Sequence, residues 1–229
     1  MQAVILAAGR GTRMGAMTES TPKPMLELLG KPLLEWKLAM LPKTIDEVIF
    51  VIGYHRNQIE KYFGGNWKGT KISYAIQETL NGTGGAIVLV KNMVRKNFLV
   101  MMGDDLYHQN DLSKLADEEL AVLGLEVDNA ERFGLLEKNV TGNLEKITER
   151  PHGKETGIVN TGAYLLQSKF FEYPMVKISA AEYGLPQTLC LMGQGVPVKV
   201  LRARAWQPVG KPEDIALGEE FLRKYWIKK

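Results

Sequence analysis

Hydrophobic residues along the chain fall into short unbroken runs, separated by longer stretches where they recur at helical spacing. Residues 3–6, 48–53 and 98–102 are continuous apolar runs, the pattern of strands buried on both faces. Between them residues 33–41 and 58–63 read as helix. Residues 86–94 do too, opened by the loop Gly82-Thr83-Gly84-Gly85. Strand and helix in alternation predict βαβ units and an α/β fold, a doubly wound, mostly parallel mixed sheet with helices on both faces. Past residue 110 the pattern changes. Residues 120–127, 133–136, 144–148 and 159–166 are shorter strands joined by polar turns, which predicts mixed or antiparallel additions to the sheet. Residues 212–225 read as a closing helix with Pro212 at its start, and the basic tail from Arg223 to Lys229 reads as cations at a helix C-terminus. The expectation is a single domain with a first half over 1–110 and a second half over 111–229.

On such a sheet ligands sit beyond the carboxyl ends of the strands. Three suggestive segments fall there: Gly9-Arg10-Gly11, the Gly82 loop, and Gly103-Asp104-Asp105. The first follows a buried strand as Leu6-Ala7-Ala8-Gly9-Arg10-Gly11-Thr12-Arg13, a small, glycine-rich, basic loop. Gly9 and Gly11 let backbone N–H groups approach phosphate oxygens that a Cβ would block. Arg13 offers a planar fork of donors, and Lys23, between Pro22 and Pro24, a compact charge on a stiff segment. The next glycine is Gly15, so the run fits neither the dinucleotide fingerprint nor a P-loop. The same residues also suit a glycine turn leaving a buried strand, with Arg and Lys merely at the surface. Asp104, directly after an apolar strand, is placed to hold Mg²⁺ against phosphates or to cap the next turn. Asp105 reads as a supporting or turn residue. The side-chain amide of Gln77 both donates and accepts, so with the backbone of Gly82 and Thr83 it suits a pyrimidine edge.

Composition narrows the classes. The chain is 45% hydrophobic and 24% charged, ordinary for a globular core. Its net charge of +3 is spread out, which suits anionic ligands weakly and argues against a nucleic-acid partner. The single cysteine, Cys190, forbids an internal disulfide and reads as a small apolar residue. No apolar run is long enough for a membrane span or signal peptide, so the expected location is cytoplasmic, with no membrane partner. His55, His108 and His152 are scattered and make no zinc pattern or catalytic triad.

LAAGRGTRM followed by TPKPML resembles the signature of the sugar-1-phosphate nucleotidyltransferases, especially the glucose-1-phosphate thymidylyltransferases and N-acetylglucosamine-1-phosphate uridylyltransferase domains. The resemblance implies the Rossmann-like, nucleotide-diphospho-sugar transferase type of sheet. It implies nucleotide contacts at Leu6, Ala7, Ala8, Gly9, Gly11, Thr12, Arg13, Gln77, Gly82 and Thr83, with Asp104 as metal ligand. Glu149-Arg150-Pro151 resembles the family's Glu-Lys-Pro, whose Glu meets sugar hydroxyls and whose Lys meets the sugar phosphate. Asn160-Thr161-Gly162 matches its Asn-Thr-Gly, and Gly134 falls where a glycine backbone meets the sugar's substituent. Two segments depart. Trp206-Gln207-Pro208-Val209-Gly210 has proline where the family carries a second metal-ligand Asp, and Leu185-Pro186-Gln187 stands where relatives often have Leu-Thr-Asp.

The resemblance implies a magnesium-dependent enzyme whose partners are a nucleoside triphosphate, UTP or dTTP favoured, and a sugar 1-phosphate; it leaves a homo-oligomer open. Arg13 is expected on the β- and γ-phosphates, Lys23 on the α-phosphate and sugar phosphate, and Asp104 on Mg²⁺. The hexapeptide-repeat acyltransferase domain of some uridylyltransferases is not expected here. Two alternatives stay open: a cytidylyltransferase for choline phosphate or an alditol phosphate, which shares the N-terminal signature, and a nucleotide-sugar-binding regulatory subunit impaired in catalysis, which Pro208 suggests.

Overall fold

The apolar runs become the centre of one sheet in the computed structural model, which describes residues 1–227. The strands include β1 (Gln2–Ala7), β2 (Glu47–Ile52), β3 (Asn66–Trp67), β4 (Thr70–Ile76), β5 (Asn97–Met102), β6 (Asp105–Tyr107), β7 (Ala121–Val127), β8 (Leu135–Lys138), β9 (Leu144–Thr148), β10 (Gly157–Gln167), β11 (Lys199–Arg202) and β12 (Trp206–Pro208). The main sheet runs β9-β8-β10-β5-β1-β2-β4-β3, with β7 on β10 and β11 on β7. Its centre, β5-β1-β2-β4, is parallel throughout. β10 joins the second half antiparallel to β5, pairing Ala163 with Met101 through Gln167 with Asn97.

Successive residues of each central strand feed opposite faces. Ala3, Ile5 and Ala7 pack with Val48, Phe50, Ile52, Leu99 and Met101 on one face; Val4, Ile49, Val51, Phe98 and Val100 pack on the other. The first face is covered by α1 (Leu33–Met40), α2 (Arg56–Phe63), α4 (Gln109–Ala116) and α6 (Asp214–Tyr225); the second by α3 (Gly82–Val88) and α5 (Leu185–Gly193). Helices on both faces explain why the strands carry no polar alternation.

Several boundaries differ from the sequence reading, among them α2, which starts at Arg56, and β10, which starts at Gly157. The helix expected over 86–94 starts at Gly82, so the glycine segment is its first turn. It stops at Val88, where the backbone tightens to three-residue bonds, Leu89 N–H to Ala86 O and Val90 N–H to Ile87 O. The strand expected over 133–136 is shifted to Leu135–Lys138 because Ala130–Arg132 form a 3₁₀ turn that Phe133 N–H closes onto Ala130 O at 3.0 Å. The closing helix begins at Asp214, not Pro212, because the Asp214 carboxylate accepts from Gly210 and Lys211 N–H at 2.8 and 3.0 Å. β4, β11, β12, α4 and α5 were not announced by any apolar run. Of the basic tail, Arg223 and Lys224 lie in the last turn of α6, while Lys228 and Lys229 lie outside the described residues. Among the described residues no helix is long and apolar enough to cross a membrane.

Candidate active site

The carboxyl ends of β1 and β5 meet through a glycine. Gly103 N–H donates to Leu6 O at 2.8 Å, and a Cβ on Gly103 would lie 2.8 Å from that same oxygen. Only glycine therefore lets the chain leave β5 over the end of β1. The loop after β1 is held in the same way. Gly11 has φ +68°, and a Cβ there would lie 2.8 Å from Lys23 Cβ, so the loop rests directly on the lysine. A 3₁₀ segment follows at Thr12–Thr18 and carries Arg13 exposed, with no acidic partner among the described residues. Lys23, buried at the start of a 3₁₀ turn between its two prolines, reaches Asp104 Oδ2 with its Nζ at 2.5 Å.

These segments enclose two adjoining cavities. The smaller, about 380 Å³, is lined by Leu6, Ala7, Ala8, Gly9, Gly11, Thr12 and Arg13 from the first loop, by Gln77, Gly82 and Thr83, and by Lys23 and Asp104. Every residue expected at the nucleotide is therefore on one wall or another of a single cavity. Gln77 is buried, and its Nε2 donates to Asn81 Oδ1 at 2.9 Å and more weakly to Gly82 O at 3.3 Å, leaving Oε1 without a partner inside the described residues. Gly82 and Gly84 serve close packing as well, since a Cβ would meet the Tyr183 backbone at 2.8 Å from Gly84 and closer still from Gly82. The Thr83 hydroxyl accepts from Leu185 N–H at 3.1 Å and so caps α5, leaving only the Thr83 backbone free of that duty.

The larger cavity, about 620 Å³, is lined by Gly134, Glu149, Arg150 and Asn160, the four residues expected at the sugar apart from Lys23. Arg13, Thr83, Met102, Asp104 and Gly210 line both cavities and form their common wall. Glu149 lies against Gly134, where a Cβ would sit 3.1 Å from Oε2; Gly134 thus makes room for the carboxylate. Asn160 is partly committed, its Nδ2 donating to Tyr164 Oη at 2.8 Å and its Oδ1 accepting from Gly162 N–H at 3.0 Å. Gly162 has φ +73° and marks the register break in β10 between Asn160 and Tyr164, a bulge that turns Asn160 toward the site. Arg150 lies exposed, Nη1 donating to Arg132 O at 3.4 Å.

Below Asp104 the turn is held by backbone. Val209 N–H donates to Asp104 O at 2.9 Å, and β12 pairs with β6 so that Pro208 stands opposite Asp105. Proline at that position thus keeps the strand pairing while offering no side-chain ligand. Asp105 is buried, as is Lys37 of α1, whose Nζ donates to Asp105 O at 2.5 Å and lies 4.1 Å above the Tyr107 ring. Burial lowers the pKa of the Lys37 ammonium, opposed by the charges of Asp105 and Asp104. Burial and then the Asp104 charge raise that of Asp105, opposed by Lys37 and Lys23.

The donor set fits Mg²⁺ in one manner. Asp104 is 35% exposed at its side chain, borders both cavities and is one carboxylate of the kind this ion takes beside phosphate oxygens and water. Among the described residues no group of three or more metal-capable side chains builds a closed cage. Asp214 has Oδ2 committed to two backbone N–H groups.

Two contributors escaped the sequence. Lys37 has no local signal, because its partner is Asp105 on another element. Gln187 donates to Glu149 Oε1 at 3.0 Å, and the departure from Leu-Thr-Asp at 185–187 was the available sign.

Residues 2–224 match the nucleotidyl transferase family. The chain belongs to that family. A Methanococcus maripaludis protein named bifunctional protein GlmU is 32% identical over 98% of this chain and 55% of its own length. The UTP–glucose-1-phosphate uridylyltransferase AglF of Haloferax volcanii is 29% identical, with 98% of this chain and 97% of that protein covered. This nucleotidyl transferase thus spans about half the length of the GlmU relatives it matches. A solved Bacillus anthracis structure assigned to a glucose-1-phosphate thymidylyltransferase, in complex with sucrose, superposes with a TM-score of 0.85 at 23% identity, covering 100% of this chain and 98% of the other; it bears on the fold alone.

Proposed function

We propose that this nucleotidyl transferase condenses a nucleoside triphosphate with a sugar 1-phosphate, giving a nucleotide-diphosphate sugar and pyrophosphate. The observation that carries the reading is the common wall: two cavities that meet at Arg13 and Asp104, with Lys23 bonded to Asp104. A sugar-phosphate oxygen attacks the α-phosphorus, the bond from that phosphorus to the bridging oxygen breaks, and pyrophosphate leaves with its electrons. The substrate supplies the nucleophile, so the protein's part is positioning and charge stabilisation.

Residues 1–110 then form the nucleotide half and 111–229 the sugar half. Backbone around Gly9 and Gly11 cradles phosphate, Arg13 binds the β- and γ-phosphates and then pyrophosphate, and Lys23 bridges the α-phosphate and sugar phosphate. Asp104 would hold Mg²⁺, which when bound neutralises phosphate charge. Glu149, Asn160 and the Gly134 backbone orient the sugar, and Arg150 takes its phosphate. Arg keeps the charge of the family's Lys but presents a fork in place of a point. Gln77 Oε1 supports UTP or dTTP, whose N3–H would donate to it. The reaction belongs in the cytoplasm on this reading.

A pyrophosphate-release screen of five nucleotides against a panel of sugar 1-phosphates tests the proposal. The expected result is turnover with UTP or dTTP well above GTP and ATP, since each polar group left unpaired by a purine costs about 1–3 kcal/mol. Equal turnover with purines would remove Gln77 from base selection. Turnover of phosphocholine with CTP alone would favour the cytidylyltransferase reading. Binding of UDP-sugar without pyrophosphate release would favour the regulatory reading that Pro208 suggests.

A further inference from the structure

Lys37 is fully buried, with 0% exposure, in a helix whose neighbouring core positions Leu33, Leu34 and Met40 are apolar. A buried ammonium carries an effective desolvation cost of several kcal/mol. Packing alone would be met by an apolar side chain, which carries no such cost. The buried amine therefore points to a role beyond stability, and its surroundings specify one. From the cavity side Lys23 grips the Asp104 carboxylate at 2.5 Å; from the core side Lys37 grips the same turn through Asp105 O at 2.5 Å. Under the Lys37 ammonium lies the Tyr107 ring, whose hydroxyl donates to Thr161 O at 2.8 Å and stands 3.4 Å from Asp105 Oδ2. Thr161 lies between Asn160 and Gly162, in the bulge that borders the larger cavity. One buried contact chain thus runs from α1 beneath Asp104 to the wall of the larger cavity.

We propose that Lys37 is a positioning residue, a buried amine that fixes the Gly103–Asp105 turn through its bond to Asp105 O, so that Asp104 is presented to both cavities while Asp105 is withheld. The inference rests on the nucleotidyltransferase reading of the site. It also gives Pro208 a context. With one carboxylate in place of two, the placement of Asp104 has no second side chain to compensate an error, and a rigid support for that turn gains weight.

The test compares Lys37→Met, Asp105→Asn and the double variant with the wild-type protein. Thermal unfolding, steady-state kinetics with the best nucleotide, and Mn²⁺ affinity in the presence of UTP, read by electron paramagnetic resonance, are measured on each. Lys37→Met leaves Asp105 O without its buried donor, and Tm should fall by roughly 2–12 °C. Asp105→Asn leaves that carbonyl bond in place, so the double variant should be no more stable than Lys37→Met. Lys37→Met and the double variant should lose about 10- to 100-fold in kcat and in Mn²⁺ affinity, with the nucleotide KM nearly unchanged, and Asp105→Asn should lose much less. A double variant with wild-type kcat and Mn²⁺ affinity would reduce Lys37 to packing and overturn the proposal. So would an Asp105→Asn protein with losses as large as those of Lys37→Met, or a Lys37→Met protein unable to fold, since the amine would then serve the carboxylate or the core and not the turn. Wild-type protein that releases no pyrophosphate would defeat the reading of the site, while Tm and the Mn²⁺ titration would still decide the role of Lys37.

Discussion

Two glycines of one loop separate a ligand role from a structural one. A Cβ placed on Gly9 meets nothing within 4 Å, and Gly9 does not have positive φ. Gly9→Ala should therefore cost the folded protein nothing, and loss of unfolded-state freedom could raise stability by about 0.4–1 kcal/mol. At 2–4 °C per kcal/mol for a chain of this size, Tm should hold or rise by roughly 1–4 °C. The added methyl projects instead into the region where phosphate is expected, so the nucleotide KM should rise. Gly11→Ala differs on both counts. Its φ of +68° costs an L-residue about 1–2 kcal/mol, and its Cβ would sit 2.8 Å from Lys23 Cβ, so the lysine must move. Tm should fall by roughly 2–8 °C from the backbone term alone. Because Lys23 Nζ is held at 2.5 Å from Asp104, a shift on the order of 1 Å breaks that contact, and misplacement of this size costs about 100-fold in rate. The assay is thermal unfolding beside pyrophosphate-release kinetics for both variants. A Gly9→Ala protein with unchanged nucleotide KM would refute the phosphate cradle. A Gly11→Ala protein with wild-type Tm and activity would refute the packing of the loop on Lys23.

Other expectations concern the cations, the missing carboxylate and pH. Lys23→Ala should keep the fold and lose about 30- to 1000-fold in kcat, the equivalent of about 2–4 kcal/mol, and near-wild-type turnover at saturation would remove it from the reaction. Asp104→Asn should abolish activity at any magnesium concentration; rescue by added metal would shift the ligand role elsewhere. Pro208→Asp should be tolerated and lower the magnesium needed for half-maximal rate, which a metal titration of the variant reads directly. Glu47 accepts from Gln2, Ser73, Lys71 and Arg95 at 2.8–3.2 Å. Burial raises its pKa, but these bonds together prevail and bring it from 4.5 to about 2. Its contribution is therefore complete above the unfolded value of 4.5 and vanishes as pH falls toward 2. That contribution is at most about 3 kcal/mol, and less in salt because Lys71 and Arg95 are mostly exposed. Urea unfolding of wild type and Glu47→Gln should differ at pH 7 and converge near pH 2, and a gap that persists there would reject the assignment.

How much of this was legible follows from how local each determinant is. The central strands could be read because burial on both faces leaves five-residue apolar runs with no polar alternation, and the glycine loop because its turn is written in the glycines themselves. β4 was not read because Thr70, Lys71, Ser73 and Tyr74 interrupt its apolar residues, a cost of lying next to the edge strand β3. α5 was obscured by Pro186 and Gln187, although proline in a first helical turn is compatible with a helix. At the site, residues in contiguous motifs, such as Arg13, Lys23 and Asp104, could be named in advance. Those that support them across elements could not, because Lys37 and Asp105, or Gln187 and Glu149, have no shared local pattern.

The same distinction divides the parallel strands end from end. At their amino ends, Gln2, Glu47 and Lys71 stand in cross-strand register and, with Arg95, form a charge network apart from either cavity. At their carboxyl ends Gly9, Gly53 and Gly103 end the apolar runs of β1, β2 and β5, and the backbone crosses closely enough that a Cβ on Gly103 or Gly53 would meet main-chain oxygens at 2.8–2.9 Å. About 20 Å of apolar strand separates the two ends. Charge at the amino end has compensating partners on neighbouring strands and contributes to stability. Charge at the carboxyl end is left partly uncompensated, with Arg13 free of any acidic partner among the described residues and Asp104 held by a lysine that a phosphate could draw away. One unpaired arginine beside a lysine held by a single carboxylate is what a polyanionic substrate requires, and it is there that substitutions should change turnover more than Tm.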